Sequence, residues 1–149
     1  MTGFPILGID PGSISGAWAV IFDDGKMLCG DLPVVDRTVN PAELARLIRA
    51  LNPERAVVEQ VGAMPGQGVS SMFAFGRGYG CILGVLGACE VPVTMVTPGK
   101  WKKAMGLDSD KEKSRSLAIR TWPNSANFTR KKDAGRAEAS LIALWGTRQ

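Results

Sequence analysis

The sequence predicts an α/β fold: a mixed central sheet with antiparallel first three strands, flanked by helices. Three observations lead there. The chain opens with three short strand-like runs separated by turns, at residues 4–10 (FPILGID), 16–22 (GAWAVIF) and 26–32 (KMLCGDL). Two further apolar runs, residues 55–61 (RAVVEQV) and 91–96 (VPVTMV), lie on either side of a long helix-like segment. A meander that continues through helical crossovers gives a parallel sheet with an antiparallel edge.

The elements follow in order. The DPGSIS turn joins the first two strands, and Asp24-Gly25 joins the second to the third. A helix begins at Asn40, a good N-cap, with Pro41 in the first helical position; Leu44, Leu47, Ile48 and Leu51 form its apolar stripe, and Asn52-Pro53 stops it. The segment QGVSSMFAFGRGYGCILGVLGAC reads as a long apolar helix with Gly76, Gly80 and Gly84 four residues apart. Each glycine costs a helix about 1 kcal/mol relative to alanine, so the stripe implies close packing. It either docks onto the domain's own sheet or forms a helix seam in a dimer. Thr97 caps a short helix, PGKWKKAMG, and Ser109 with Glu112 forms a capping box for KEKSRSLAIRTW. Residues 133–146 make the last helix, ended by Gly146.

Composition narrows the chemistry. The 149 residues, 45% hydrophobic and 21% charged, suit one folded domain over 1–149. There is no histidine, which excludes Ser-His and Cys-His catalysis and histidine-containing zinc sites. Hydrolysis must then rest on carboxylates, lysines or a metal. Of the three cysteines, Cys81 and Cys89 fall in one helix-like segment about 12 Å apart, too far for a disulfide. Such thiols fit a reducing cytosol. No export signal is read at the N-terminus, and Arg77 interrupts the apolar stretch at 68–90, so neither secretion nor a membrane span is expected.

The net charge of +4 is unevenly spread. Residues 1–96 carry six Lys/Arg against nine Asp/Glu, while residues 97–149 carry twelve against five. The basic third is clustered: Lys100, Lys102 and Lys103 around Trp101; Lys111, Lys113 and Arg115; Arg130, Lys131 and Lys132. Such a distribution suits a polyanion such as nucleic acid. Arg77 joins these clusters as a candidate backbone contact, and Phe73, Phe75 or Trp101 as wedges against unstacked bases.

Three carboxylates stand out. Asp10 ends the first strand at a Pro-Gly turn, a position that turn chemistry alone also explains. Glu59 interrupts AVVEQV, where an unpaired buried charge would cost several kcal/mol, so it requires a cation to face. Glu138 shares the inward face of the last helix with Leu141, Ile142 and Trp145. One carboxylate at the end of each of two strands and a third on the final helix can hold a hard divalent cation, which takes oxygen ligands and needs no histidine. Two Mg²⁺ ions about 3.5 to 4 Å apart would serve phosphodiester hydrolysis.

The runs ILGIDPGSISGAWAVI, VEQVGAMPGQGVSSMFAFGRGYG, PVTMVTPGKWKKAMG with DKEKS, and DAGRAEASLIALWG resemble, in order, the successive motifs of RuvC-type Holliday junction resolvases, especially the short forms encoded by bacteriophages and prophages. The resemblance spans nearly the whole chain. It implies an RNase H-like fold, a homodimer without organic cofactor, and Mg²⁺-dependent paired nicking of four-way DNA junctions in a bacterial or phage-infected cytoplasm, with Mn²⁺ as a substitute ion. Asp10, Glu59 and Glu138 match the family's acids. Lys113, and Lys102 or Lys103, match lysines near the scissile phosphate.

One departure is plain: where the family carries a further acid one turn before the last, this chain has Gly135, and the nearest acid is Asp133. Five residues separate Asp133 from Glu138, about 140° around an ideal helix. Asp133 can therefore be a fourth ligand only if it lies at the N-cap or just outside the helix, and the alternative is that it simply caps the helix. The missing acid leaves a second function open, a branched-DNA-binding module that does not cut. Actin-like ATPases and sugar kinases also begin with GID-type strands, but they need two such domains around a cleft.

Overall fold

Alternation of side chains in two adjacent parallel strands determines where everything else lies. In the computed structural model, which describes residues 3–12, 16–63 and 65–149, β1 (Ile6–Asp10) sends Leu7 and Ile9 to one face of the sheet, leaving Ile6, Gly8 and Asp10 for the other. β6 (Arg55–Glu59) runs parallel to it, with Ile9 opposite Val58. Ala56 and Val58 join Leu7 and Ile9, while Val57 faces the side of Ile6. Asp10 and Glu59 therefore follow each other at the C-terminal ends of neighbouring strands, on the same face.

The sheet is completed by β2 (Ala17–Ile21), β3 (Met27–Asp31) and β7 (Val93–Val96), in the order β3-β2-β1-β6-β7. The first three strands pair antiparallel, whereas β1, β6 and β7 pair in parallel, as the sequence predicts. A two-stranded hairpin, β4 (Val34–Val35) with β5 (Thr38–Val39), adds a second small sheet that the sequence did not announce. Residues 13–15 of the expected DPGSIS turn lie outside the described residues.

On the face of Leu7 and Ile9 pack α1 (Pro41–Leu51) and α2 (Val69–Ala88), through Leu44, Ile48, Ile82 and Leu86. Asn40 caps α1 through a bond from the Glu43 N–H, and Asn52 ends it in the left-handed conformation. α2 buries only Ile82 and Leu86, and a Cβ placed on Gly76, Gly80 or Gly84 would meet no atom within 4 Å. The glycine stripe thus does not dock onto its own sheet; it faces outward. By length and composition alone α2 would also reach across a membrane, although Arg77 lies within it.

The opposite face carries α5 (Ala134–Thr147), with α3 (Pro98–Ala104) and α4 (Lys111–Thr121) beside it. Its approach to the sheet is very close. A Cβ on Gly8 would stand 2.5 Å from the Ala139 carbonyl oxygen and 2.6 Å from the Ala143 nitrogen, so only glycine lets the helix backbone down onto β1.

Two helix ends differ from expectation. α4 is capped by Asp110, whose side chain accepts from the Glu112 N–H, not by Ser109. A carboxylate suits the positive end of a helix better than a hydroxyl does. The last helix is preceded by a 3₁₀ turn (Lys131–Asp133) and passes through Gly146 to Thr147. Gly146 is small because a Cβ there would lie 2.8 Å from Val57 Cγ2, which is a packing requirement and not a cap.

Candidate active site

Asp10, Glu59 and Glu138 are buried, at 5, 8 and 2% exposure, and the charges of Glu59 and Glu138 both act on Asp10, that of Glu138 also on Glu59. β1 and β6 supply the first two from the sheet, and α5 lowers Glu138 onto them from above. The carboxyl ends of parallel strands are where α/β sheets place their ligands.

Each carboxylate has its own environment. Asp10 Oδ1 accepts a 3.1 Å bond from the Gly12 N–H, so the turn reading and the site reading of this residue both hold. Burial, followed by the negative charges of Glu59 and Glu138, pushes the Asp10 carboxyl up to about 7, against the opposing pull of Lys111 and the Gly12 N–H. Burial likewise raises Glu59, opposed by the hydrogen bond from Trp101. The direct partner of Glu59 is therefore not the cation that its position seemed to require. It is the indole Nε1–H of Trp101, 2.8 Å from Oε2, with the charges of Lys102 and Lys111 acting at longer range. Trp101 is wholly buried, which removes it as a base wedge.

Glu138 is held on both oxygens. Oε1 accepts from Lys111 Nζ at 2.9 Å; Oε2 accepts from the buried Ser114 hydroxyl at 2.9 Å and faces Lys102 Nζ at 3.4 Å. The lysines that reach the carboxylates are thus Lys102 and Lys111. Lys113 is placed elsewhere: its ammonium pairs with exposed Asp108 at 2.5 Å. Lys111 and Lys113 are two residues apart on one helix, about 200° around its axis, so they cannot both face Glu138.

Asp133 is also placed differently from a fourth ligand. It is buried, and its oxygens accept the Arg130 backbone N–H and guanidinium, with Arg136 3.7 Å away. The hydrogen bond from Arg130 keeps its carboxyl below the usual range. It organises the turn into α5. Gly135 is the residue beside the site: a Cβ there would sit 3.9 Å from Asp10 Oδ2. Arg136 is committed to Asp31 on β3 by bonds of 2.9 and 3.0 Å.

Of the remaining basic candidates, Lys100, Lys103, Lys131, Lys132 and Arg77 are exposed. Arg130 is tied to Asp133. Phe73 is 71% exposed with the Arg77 guanidinium 6.0 Å over its ring, while Phe75 stacks on Tyr79. Sequence reasoning missed the parts played by Ser114 and Trp101, and it assigned Lys111 only to DNA contact. A signal existed for α4: Lys111, Ser114 and Ala118 fall at i, i+3 and i+7, and the latter two are small residues on the buried face.

Among the described residues, no three acidic or cysteine side chains form a ready-made cage for an ion. Protein donors reach Asp10 Oδ1, Glu59 Oε2 and both Glu138 oxygens. The donor set nevertheless fits a hard divalent cation: it is all oxygen, the carboxylates repel one another, and Glu138 already draws two ammonium groups.

No family model matches the chain. Its sequence is 30% identical over 112 residues to the crossover junction endodeoxyribonuclease RuvC of Chlorobium phaeovibrioides, covering 67% of this chain and 58% of that protein. It is 29% identical to the RuvC of Chloroflexus aggregans, covering 93% of this chain and 89% of that one. The structure of T. thermophilus RuvC in complex with Holliday junction substrate matches with a TM-score of 0.70 at 19% identity, over 96% of this chain and 94% of that one. The architecture is accordingly the RNase H-like α/β fold. With these relatives and this fold, the chain belongs to the RuvC family of crossover junction endodeoxyribonucleases.

Proposed function

We propose that the protein is a divalent-metal-dependent DNA endonuclease that resolves four-way and related branched junctions by paired nicking. The observation that carries this reading is the convergence of Asp10, Glu59 and Glu138 beside a basic C-terminal third, in a chain with no histidine to run hydrolysis another way. Relatives named for crossover junction cleavage support the substrate class.

Asp10, Glu59 and Glu138 would hold Mg²⁺, or Mn²⁺ in its place. A divalent ion supplies Lewis acidity to the phosphodiester and makes water a stronger acid. The chain's own groups do the rest. Trp101 fixes the Glu59 carboxylate, Ser114 and Lys102 orient Glu138, and the buried setting strengthens each of these interactions. Lys100, Lys103, Lys131, Lys132 and Arg77 offer positive charge to DNA backbone, and Phe73 an exposed ring for stacking. With Asp133 engaged by Arg130 and no side chain at Gly135, a second ion would rest on the same three carboxylates and bind weakly. Two nicks require two sites, and the outward glycine stripe of α2 supports a homodimer. Three free thiols suit a reducing cytoplasm.

Incubation of a labelled four-way junction with Mg²⁺ tests the reading. The wild type should give symmetric paired nicks, and Asp10→Asn should lower the rate by more than the ~10- to 100-fold typical of changes outside the ligand set. Cleavage at the wild-type rate would remove Asp10 from the site. The lack of a ready-made ion cage among the described residues, with Gly135 where a further acid is expected, favours a second reading, a branched-DNA-binding protein that does not cut; tight junction binding without product in Mg²⁺ or Mn²⁺ would establish it.

A further inference from the structure

Two lysines face Glu138, and they are not equivalent. The Lys102 side chain is 14% exposed, with its ammonium 5.5 Å from the Trp101 ring centroid, so its surroundings hold it. The Lys111 side chain is 62% exposed, and its ammonium meets Glu138 Oε1 at 2.9 Å. Lys111 is also the first residue of α4, where the helix dipole disfavours a cation. It stays at the site because Glu138 holds it, and water is open to it on the other side.

We propose that Lys111 is a displaceable internal counter-cation of the carboxylate trio: in the metal-free protein its ammonium occupies Glu138, and a divalent ion binds by displacing it. The inference rests on the metal-site reading above. Three buried carboxylates face two ammonium groups, which leaves about one negative charge for an incoming ion to meet. With Lys111 withdrawn, the site offers two. The cost of withdrawal is small on the lysine side, because an exposed ammonium on a flexible four-carbon stem is readily hydrated. It is large on the glutamate side, since Glu138 is 2% exposed and would be left less compensated unless an ion replaces the lysine. Departure of Lys111 and arrival of an ion are therefore coupled. A DNA phosphate near the rim gives the freed ammonium a new partner, so DNA should tighten ion binding and the ion should tighten DNA binding by the same factor.

The test is a Mn²⁺ titration of the full chain without DNA at pH 8.5, followed by the loss of the free-ion EPR signal, on the wild type, Lys111→Met, Lys111→Arg and Asp10→Asn. Lys26→Met, on the β2–β3 turn, controls for the loss of one positive charge far from the site. Lys111→Met should bind Mn²⁺ about tenfold more tightly than the wild type. Lys111→Arg, which keeps the cation, and Lys26→Met should stay near the wild-type value. Lys111→Gln repeats the measurement should the methionine variant fold poorly. If the wild type binds Mn²⁺, Asp10→Asn does not, and the neutral Lys111 variant matches the wild type or binds more weakly, the counter-cation role is overturned while the metal site stands. If neither the wild type nor the neutral variants take up Mn²⁺, the metal-site reading falls and this inference with it.

Discussion

At the scale of single residues, the site is a set of charges brought together against their mutual repulsion, and Asp10 carries the clearest consequence. Its carboxyl is raised from 3.8 to about 7, chiefly by burial and next by Glu59 and Glu138. A carboxyl raised on folding binds its proton more tightly in the folded state than in the unfolded one. Its favourable contribution is whole below about pH 3.8, declines as the pH rises to about 7, and changes no further above that. The total is up to roughly 4 kcal/mol. In EDTA, Asp10→Asn should therefore melt about 5 to 10 °C above the wild type at pH 8, with the gap closing towards pH 4. Equal melting temperatures at pH 8, or a gap that widens on acidification, would contradict the burial of a charged Asp10. The three acids were legible in the sequence because each sits where the period of its element points inward: Glu59 among valines, Glu138 on the face of Leu141, Ile142 and Trp145. Their partners were not legible. A buried indole N–H and a buried carboxylate each need the other, but 42 residues separate Trp101 from Glu59, and nothing local pairs them.

At the scale of elements, the site depends on how far α5 descends onto β1, and Gly8 controls that distance. Because the nearest atoms to an added Cβ at Gly8 are helix backbone, at 2.5 and 2.6 Å, the clash cannot be relieved by turning a side chain. Gly8→Ala must push α5 outward, and with it Glu138 and the small-residue contacts of Ala17, Ala19, Ala139 and Ala143. A loss of about 3 kcal/mol or more in urea unfolding is expected, beyond the usual 1 to 3 kcal/mol for overpacking. A loss under 1 kcal/mol would mean that the helix stands farther from the strand than described. The five strands of the main sheet, the helices and the caps of α1 and α3 were legible because each is encoded within a few residues, whereas the short β4–β5 hairpin was not. The Gly8 contact was not, since it joins residues 131 positions or more apart. The cap of α4 lies one residue beyond the expected Ser109 because Ser109 and Asp110 are both good N-caps, and the capping-box spacing from Ser109 to Glu112 competes with the dipole's preference for the Asp110 carboxylate.

At the scale of the molecule, the two faces of the sheet have separate tasks: α3, α4 and α5 enclose the carboxylates, while α2 turns a long apolar side outward. Val69 and Phe73 are 88 and 71% exposed, and Gly76, Gly80 and Gly84 leave open space beside the helix backbone. Glycines in a helix weaken it unless another backbone comes close, and among the described residues none comes close to Gly76, Gly80 or Gly84. In the proposed homodimer a second α2 would cover this surface, and the proposed paired nicks need a second active site. Gly80→Arg separates this role from folding. A Cβ at that position meets nothing within 4 Å, and arginine exceeds glycine in helix propensity by about 0.8 kcal/mol, so the variant should melt no lower as a monomer. At the proposed seam, however, it would place a bulky charge where two backbones would meet. Sedimentation velocity should show a dimer for the wild type and a monomer for Gly80→Arg at the same concentration, and junction products should shift from paired to single nicks. A variant that still sediments as the wild type does would move the interface off α2.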